Sequence, residues 1–474
     1  MKPTVSIEKG VALGAHADSN PPGARVQQAD IEVRRPQSAT VTWINWTALA
    51  SLFATVIALR RFEVVDPVDR TLIVMAAIAV PVIVLEGLYF KRFAGMAYRR
   101  DAFATRLKRV VVKLIGLAAT FGLMVATYWV FPYFANGSSY LVYDLLGRVW
   151  VPIVVLAPVY FWYVDGLMDD PEDDYHAAGM FVLGILPDGE RAKLGNHLRA
   201  SFMKIFFYQY ILSVAVAHLT GIVSYDPVAT ISAEPFGFMN LFIDTVWFVD
   251  VAFSCTGYFL TLRLFDSHIR STDPTVLGWL VCLICYGTFY GMLSESFLPY
   301  EDGVYWGHWL AATPVLKALW AIPIIVLLTT YALGTVQFGI RFSNLTHRGI
   351  ITNGPFRFTK HPQYVSKNIA WWLISVPFIT IGTPEDAIRH CLMLAGFNVI
   401  FYYRAKTEER HLSRDPVYRD YAAWIAQHGV IARMKRAVGL PTPPYRVPLT
   451  VADLSAGRET APEMGGRRDE RRMH

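Results

Sequence analysis

Ten apolar stretches, separated by polar or Pro/Gly-containing segments, run along the chain. They lie near residues 42–59, 72–90, 112–134, 149–164, 203–223, 237–262, 276–298, 315–339, 368–382 and 387–403. Most approach the roughly 20 residues that a helix needs to cross about 30 Å of hydrocarbon; the fourth and ninth are short. The pattern predicts an all-α, polytopic integral membrane protein with about ten transmembrane helices. The last two stretches are joined by "GTPED" and are short enough to form a hairpin, which makes neighbours of their two far ends. No apolar h-region precedes residue 40, so no cleavable signal peptide is expected. Residues 1–40, and the chain from "PTPPYRVPLT" onward, are polar and rich in Pro and Gly, and are expected to be disordered.

Charge orients the pattern. Seven Lys or Arg lie in 91–109, five in 340–367 and nine from Arg433 onward, whereas 135–147, 225–236 and 299–314 contain none. With ten spans, every one of those basic segments falls on one side. The positive-inside rule then places both termini and the 340–367 loop in the cytoplasm. The 60–71 loop, with Arg60, Arg61 and Arg70 on the outer side, runs against the rule.

Composition agrees with this class. Of 474 residues 54% are hydrophobic and 17% charged, where a soluble enzyme carries about a quarter charged. The net charge of +6 follows from loops and tails and gives no ground for a nucleic-acid partner. Cys255, Cys282, Cys285 and Cys391 all fall inside apolar stretches, and the Cys282/Cys285 pair reads as small packing residues rather than a metal or redox motif. Phosphate-loop, dinucleotide and zinc-protease signatures are missing. Ionisable groups inside spans are costly and mark candidate function. They are Glu86, His218, Asp244, Asp250 and Glu295. Asp244 and Asp250 are six apart and do not share a helix face; one is expected to pair with His218, and the set reads either as hydrogen-bonding glue or as a site for a polar headgroup. The acidic run "DGLMDDPEDDYH" (165–176) reads as a solvated loop, with a hard-cation site as the alternative.

Two segments carry candidate chemistry. "NGPFRFTKHPQYVSK" (353–367) gathers Arg357, Lys360, His361 and Lys367, with His347 just upstream. "FYYRAKTEERHLSRDPVYRDYAAWI" follows the tenth span. The hairpin should bring the two together on one side, and a site with both signs suits a zwitterionic ligand. On a helix Arg404, Glu408 and His411 share a face, from which Glu409 points away. Arg404 and Glu408 can equally be an i,i+4 ion pair worth a few tenths of a kcal/mol. Tyr418, Tyr421 and Trp424 form a stripe suited to a helix lying in the membrane interface.

"GIITNGPFRFTKHPQYVS" resembles the Gly-x-Tyr…Arg-His-Pro-x-Tyr-x-Gly motif of isoprenylcysteine carboxyl methyltransferases and phospholipid methyltransferases. "RAKTEERHL…Y..Y" is similar to the Arg…Glu-Glu…Leu…Tyr-x-x-Tyr segment that follows there after a helical hairpin. The resemblance spans about 315–428. It implies methyl transfer from S-adenosylmethionine to a membrane-borne acceptor. It places Gly354, Lys360, His361, Pro362 and Tyr364 on the cofactor loop, Glu408 and Glu409 on the acidic pair, and Arg404 and Glu408 in the catalytic role. Three positions depart from the motif: Lys360 replaces its arginine, Ser366 its second glycine, and Asp415-Pro416 the usual Phe-Gly.

The resulting expectation is a disordered arm (1–40), an amino-terminal helical region of unknown role (41–300), a methyltransferase-like domain with a cytoplasmic cofactor site (301–430) and a basic tail (431–474). The expected enzyme sits in a bacterial inner membrane and methylates a lipid, lipid-linked or amphiphilic acceptor. Two alternatives stand beside it: an NADPH-dependent reductase of the sterol-reductase type, and a non-enzymatic transporter or sensor.

Overall fold

The computed structural model describes residues 34–62, 66–92, 98–131, 138–233 and 236–441. Of the expected disordered arm (1–40) and tail (431–474), residues up to 33 and from 442 lie outside the described residues; the rest departs from expectation, with the Ala39 amide donating to the Ile350 carbonyl at 2.9 Å and a helix over Val430–Ala437. From Arg35 onward the described residues form one compact unit. In order, the helices are α1 Thr42–Arg61, α2 Pro67–Tyr89, α3 Phe103–Val130, α4 Ser138–Asp165, α5 Asp174–Val182, α6 Arg191–Ser224, α7 Pro227–Ala233 and α8 Gly237–Phe259. They continue with α9 Val276–Leu283, α10 Gly287–Met292, α11 Trp306–Trp309, α12 Pro314–Gln337, α13 Pro362–Ser375, α14 Pro384–Leu412, α15 Pro416–His428 and α16 Val430–Ala437. The sheet among the described residues is a two-residue antiparallel pair, β1 Ser271–Thr272 with β2 Thr346–His347, in register Ser271↔His347.

Seven of these helices (α1, α2, α3, α4, α6, α8 and α12) are long and apolar enough to cross a membrane. The other three apolar stretches differ from simple spans. The stretch 276–298 breaks into α9, α10 and a π-turn over Leu293–Phe297. The break falls at Gly287, whose φ of +55° a helix does not accept. Helix α13 has 14 residues, about 21 Å of rise. Helix α14 is longer than the expected 387–403 and ends in polar turns that reach beyond the apolar stretch.

The hairpin forms as its sequence predicts. Thr383 and Asp386 make a capping box at the start of α14. An amide ladder then ties the two helices: Trp372 Nε1 donates to Asn398 Oδ1 at 2.8 Å, and Asn398 Nδ2 to Asn368 Oδ1 at 2.9 Å. At the turn the Asp302 carboxylate accepts from the Ile381 amide at 3.1 Å. Helix α13 lies close on α12, where a Cβ on Gly334 would meet Gln363 Cγ at 2.5 Å.

Polar joints hold the two ends of the bundle. At one end Glu86, buried at the end of α2, receives both guanidinium nitrogens of Arg341 at 3.1 and 2.8 Å and one from Arg92 at 3.3 Å. The Asp165 carboxylate at the end of α4 meets Arg109 at 2.7 Å and Lys113 at 3.1 Å, from successive turns of α3. The acidic run is therefore not freely solvated. Asp170 pairs with Lys193 at 2.9 Å and Asp173 reaches Lys113 at 3.7 Å. At the opposite end Arg60 donates to the Tyr225 carbonyl, and Arg148 pairs with Asp66, Asp69 and Asp144.

One buried cation joins the amino-terminal helices to the later ones. Arg348 has no acidic partner among the described residues. It donates to the carbonyls of Gly257 (2.8 Å), Leu260 (2.7 Å), Ser267 (2.7 Å), Ile340 (2.9 Å) and Phe342 (2.9 Å). Gly257 and Leu260 are orphan acceptors at the end of α8; the other three carbonyls belong to the turns that follow α8 and α12. Burial, and the nearby Arg341 charge after it, push the pKa of the guanidinium down.

Candidate active site

The loop between α12 and α13 begins the site. Gly354 has φ +54°, and a Cβ there would meet Gln337 Cγ at 2.5 Å, so the turn needs glycine twice over. Pro362 occupies the first turn of α13, where its missing N–H costs no hydrogen bond. The turn therefore delivers Lys360 and His361 just before the helix and Tyr364 on its first turn. Thr40 and Asn353 fix the loop from behind, with Asn353 Nδ2 donating to the Thr40 carbonyl at 2.9 Å.

Helix α14 meets this loop through its acidic pair, and the two glutamates divide the work. Glu409 is 4% exposed. Its Oε1 lies 2.7 Å from Lys360 Nζ and 3.1 Å from His361 Nε2, and its Oε2 3.1 Å from Lys406 Nζ. Burial alone would push this carboxyl up. The His361 hydrogen bond and the His361 and Lys360 charges outweigh burial and hold it well below the usual carboxylate range. At Lys360 the balance is reversed: burial is larger than the attraction of Glu409, and its pKa falls. Glu409 is thus the clamp of the loop, although the helical wheel turns it away from the Arg404 face.

Glu408 is the freer of the two. Its side chain is 39% exposed, lines a cavity, and accepts from the Tyr364 hydroxyl at 2.8 Å. The expected Arg404–Glu408 ion pair is not formed. Arg404, 8% exposed, instead donates to Asn344 Oδ1 at 2.7 Å and Tyr286 Oη at 3.0 Å. Its guanidinium lies 5.1 Å from the ring centres of both Tyr286 and Tyr364. The imidazole of His361 stacks on Tyr364 with 5.4 Å between centres.

The cavity holds about 450 Å³, within the range of small-molecule sites. Lys360, His361, Tyr364, Arg404, Glu408 and His411 line it. Gly354, Pro362 and Glu409 are not among its lining residues and act behind the wall. The cavity also takes in residues that the sequence did not single out, Tyr286 and Asn344 above all. Tyr286 lies at the break between α9 and α10, and the Tyr-Gly step inside an otherwise apolar stretch is the one sequence signal for it. Cys282 and Cys285 line the wall beside it.

The aromatic stripe is a correction. Tyr418 and Tyr421 do not face outward. They are buried against Ile350, Ile351 and Phe356, and Tyr421 Oη donates to the Phe356 carbonyl at 2.7 Å. Helix α15 therefore packs over the site loop. The exposed amphipathic surface belongs to the next helix, α16, with Ile431 and Met434 outward beside Arg433 and Arg436.

The ionisable groups of the amino-terminal helices also find their places. Asp250 accepts from Tyr331 Oη at 2.7 Å and from Thr335 Oγ1, and lines the cavity. Asp244 accepts from Tyr225 Oη at 3.2 Å. Neither pairs with His218, which lines the cavity without a hydrogen bond among the described residues. Glu295 is exposed on the π-turn.

The comparisons with known proteins bear on the same region. Residues 316–414 match the isoprenylcysteine carboxyl methyltransferase (ICMT) family. The match runs from α12 through the site loop and the hairpin to the acidic pair, and stops before Tyr418 and Tyr421 of the second motif. The carboxy-terminal part of the chain is therefore similar to the ICMT family over about a fifth of its length. No curated protein and no solved structure matches the chain. The helices before residue 316, which supply Tyr286 and Asp250 to the cavity, lie outside the ICMT match.

Proposed function

We propose that the protein is an S-adenosylmethionine-dependent methyltransferase acting on a lipid, lipid-linked or amphiphilic acceptor at the cytoplasmic face of a bacterial inner membrane. The observation that carries the reading is the convergence, inside the ICMT-matched segment, of His361, Tyr364, Arg404 and Glu408 on one cavity. The donor set fits the cofactor. Glu408 offers a carboxylate to an ammonium, the other aromatic side chains of the lining, such as Tyr210 and Phe356, offer ring faces to a sulfonium, and Arg404 offers donors to a carboxylate. When bound, S-adenosylmethionine supplies an electrophilic methyl group.

The chain's own residues position and desolvate. Glu409 and Lys360 lock the loop, Tyr364 orients Glu408, and Asn344 with Tyr286 holds Arg404 in one plane. Most of the rate should come from such positioning and from exclusion of water. Both termini and the site are assigned to the cytoplasmic side, with ten crossings that include the broken 276–298 segment and the short α13.

Calorimetric titration in detergent tests the cofactor. His361→Ala and Tyr364→Ala should weaken S-adenosylmethionine binding at unchanged fold, and Arg404→Lys should cut turnover because a planar fork is lost. Wild-type affinity in both loop variants would remove those residues from the site. A melting temperature raised by NADPH and not by S-adenosylmethionine would favour the reductase alternative.

A further inference from the structure

The cavity has a second polar wall, to which helices that precede the ICMT match contribute. On α6 Tyr210, Val214 and His218 follow one another at spacing four, and on α8 Trp247, Asp250 and Ser254 at spacings three and four; all six line the cavity. Asp250 stands nine residues before the end of α8, about 13 Å along the helix at 1.5 Å per residue. Its carboxylate takes hydrogen bonds from the Tyr331 and Thr335 hydroxyls. Gln363 Nε2 holds Thr335 in turn, at 2.6 Å. An ionised carboxylate has about four acceptor sites, so about two are left unused.

Lys367 faces the same space from α13. Its ammonium lies 4.8 Å from the Trp371 ring centre, 5.2 Å from Trp247 and 5.5 Å from Tyr331. It has no hydrogen bond or ion pair among the described residues. Three aromatic faces replace only part of the water that a buried ammonium gives up. A carboxylate with spare acceptor sites and an ammonium with none of its three donors used therefore look into one cavity, near each other but not paired.

We infer that this wall is the acceptor subsite, and that it selects a small amphiphile whose head carries both a protonated amine, for Asp250, and an anionic group, for Lys367. The inference rests on the methyltransferase reading for the word acceptor, though not for the binding itself. It gives the amino-terminal helices a role: they furnish Asp250, Trp247 and His218 to a cavity whose other end is ICMT-like. The apolar tail of such a ligand would leave between helices into lipid.

The test uses the full chain in lipid nanodiscs, with empty nanodiscs as blank, and equilibrium dialysis of three probes sharing one tail: octylamine, octanoate and N-octylglycine. The wild-type protein should bind N-octylglycine at least tenfold more tightly than either single-charge probe. Asp250→Asn, which keeps the shape, should weaken octylamine and N-octylglycine about tenfold and leave octanoate unchanged. Lys367→Met, which keeps the stem, should weaken octanoate and N-octylglycine and leave octylamine unchanged. This crossed pattern cannot arise from misfolding, which would weaken all three. An equal effect of both variants on every probe, no effect on any, or no preference by the wild type would overturn the subsite. S-adenosylmethionine affinity is titrated separately and should be unchanged in both variants; a loss in both equal to the loss of N-octylglycine would also overturn the assignment. The crossed pattern in a protein that does not bind S-adenosylmethionine would sink the methyltransferase reading and leave the subsite standing.

Discussion

Removing the Glu409 carboxylate should unlock the site loop, and the cost can be worked from the contacts. Glu409 is 4% exposed and touches Lys360 at 2.7 Å and His361 at 3.1 Å. In Glu409→Ala the Lys360 ammonium is left without the carboxylate that holds it, and the imidazole loses the acceptor that orients it. Breaking a buried pair from one side costs about 3–5 kcal/mol. The Lys360 side chain keeps 19% of its surface and can turn toward water, so the lower end, about 3 kcal/mol, applies. Lys406, 47% exposed, adds no more than about 0.5 kcal/mol. Glu408 differs: it is 39% exposed and has one hydrogen bond from Tyr364, so Glu408→Gln should cost about 1 kcal/mol or less.

Thermal melts in detergent, paired with S-adenosylmethionine titrations, separate the two. Glu409→Ala should drop Tm by several degrees and lose binding with it. Glu408→Gln should lose binding or turnover at nearly unchanged Tm. The pH dependence has a sign. Glu409 titrates below its unfolded value of about 4.3, so the clamp is fully present above that pH and weakens as pH falls below it toward the folded value. The Glu409 variant should therefore differ from wild type most at neutral pH and least in acid. A Glu409→Ala protein that melts like wild type at neutral pH would refute the clamp.

Two further outcomes follow from the fold. Arg348→Ala leaves five carbonyls without their donor, at about 1.5–3 kcal/mol for each charge-assisted bond and not additively, so it should abolish monodisperse protein on size exclusion; Arg348→Lys, with three donors, should restore part of it, and a wild-type melt for Arg348→Ala would remove the joint. For topology, a cysteine replacing the exposed His308 should react with an impermeant maleimide in intact cells, and one replacing Arg436 should not; reversed labelling would invert the orientation.

The apolar periodicity determined the helical class, the hairpin and its turn by itself, because burying or lipid-facing an apolar run of that length admits few alternatives. The Gly-Pro and His-Pro steps fixed the loop for a local reason: only glycine accepts φ +54° at 354, and proline suits the first turn of α13. Motif order carried the ICMT resemblance, which the match over 316–414 bears out. Side-chain pairing was another matter. A helical wheel set Glu409 apart from the Arg404 face but could not say that the site loop waits on that other side. It offered Glu408 as the partner of Arg404, whereas Asn344 and Tyr286 take the arginine from sequence distances of 60 and 118 residues. It read Tyr418 and Tyr421 as interfacial because an amphipathic stripe does not reveal what covers it. Asp250 was legible as costly, as glue or as a headgroup site, without the hydroxyls of Tyr331 and Thr335 that hold it. Contacts between helices far apart in sequence depend on how helices cross and close, and a periodic pattern along one helix carries no information about the side chain that another helix brings to meet it.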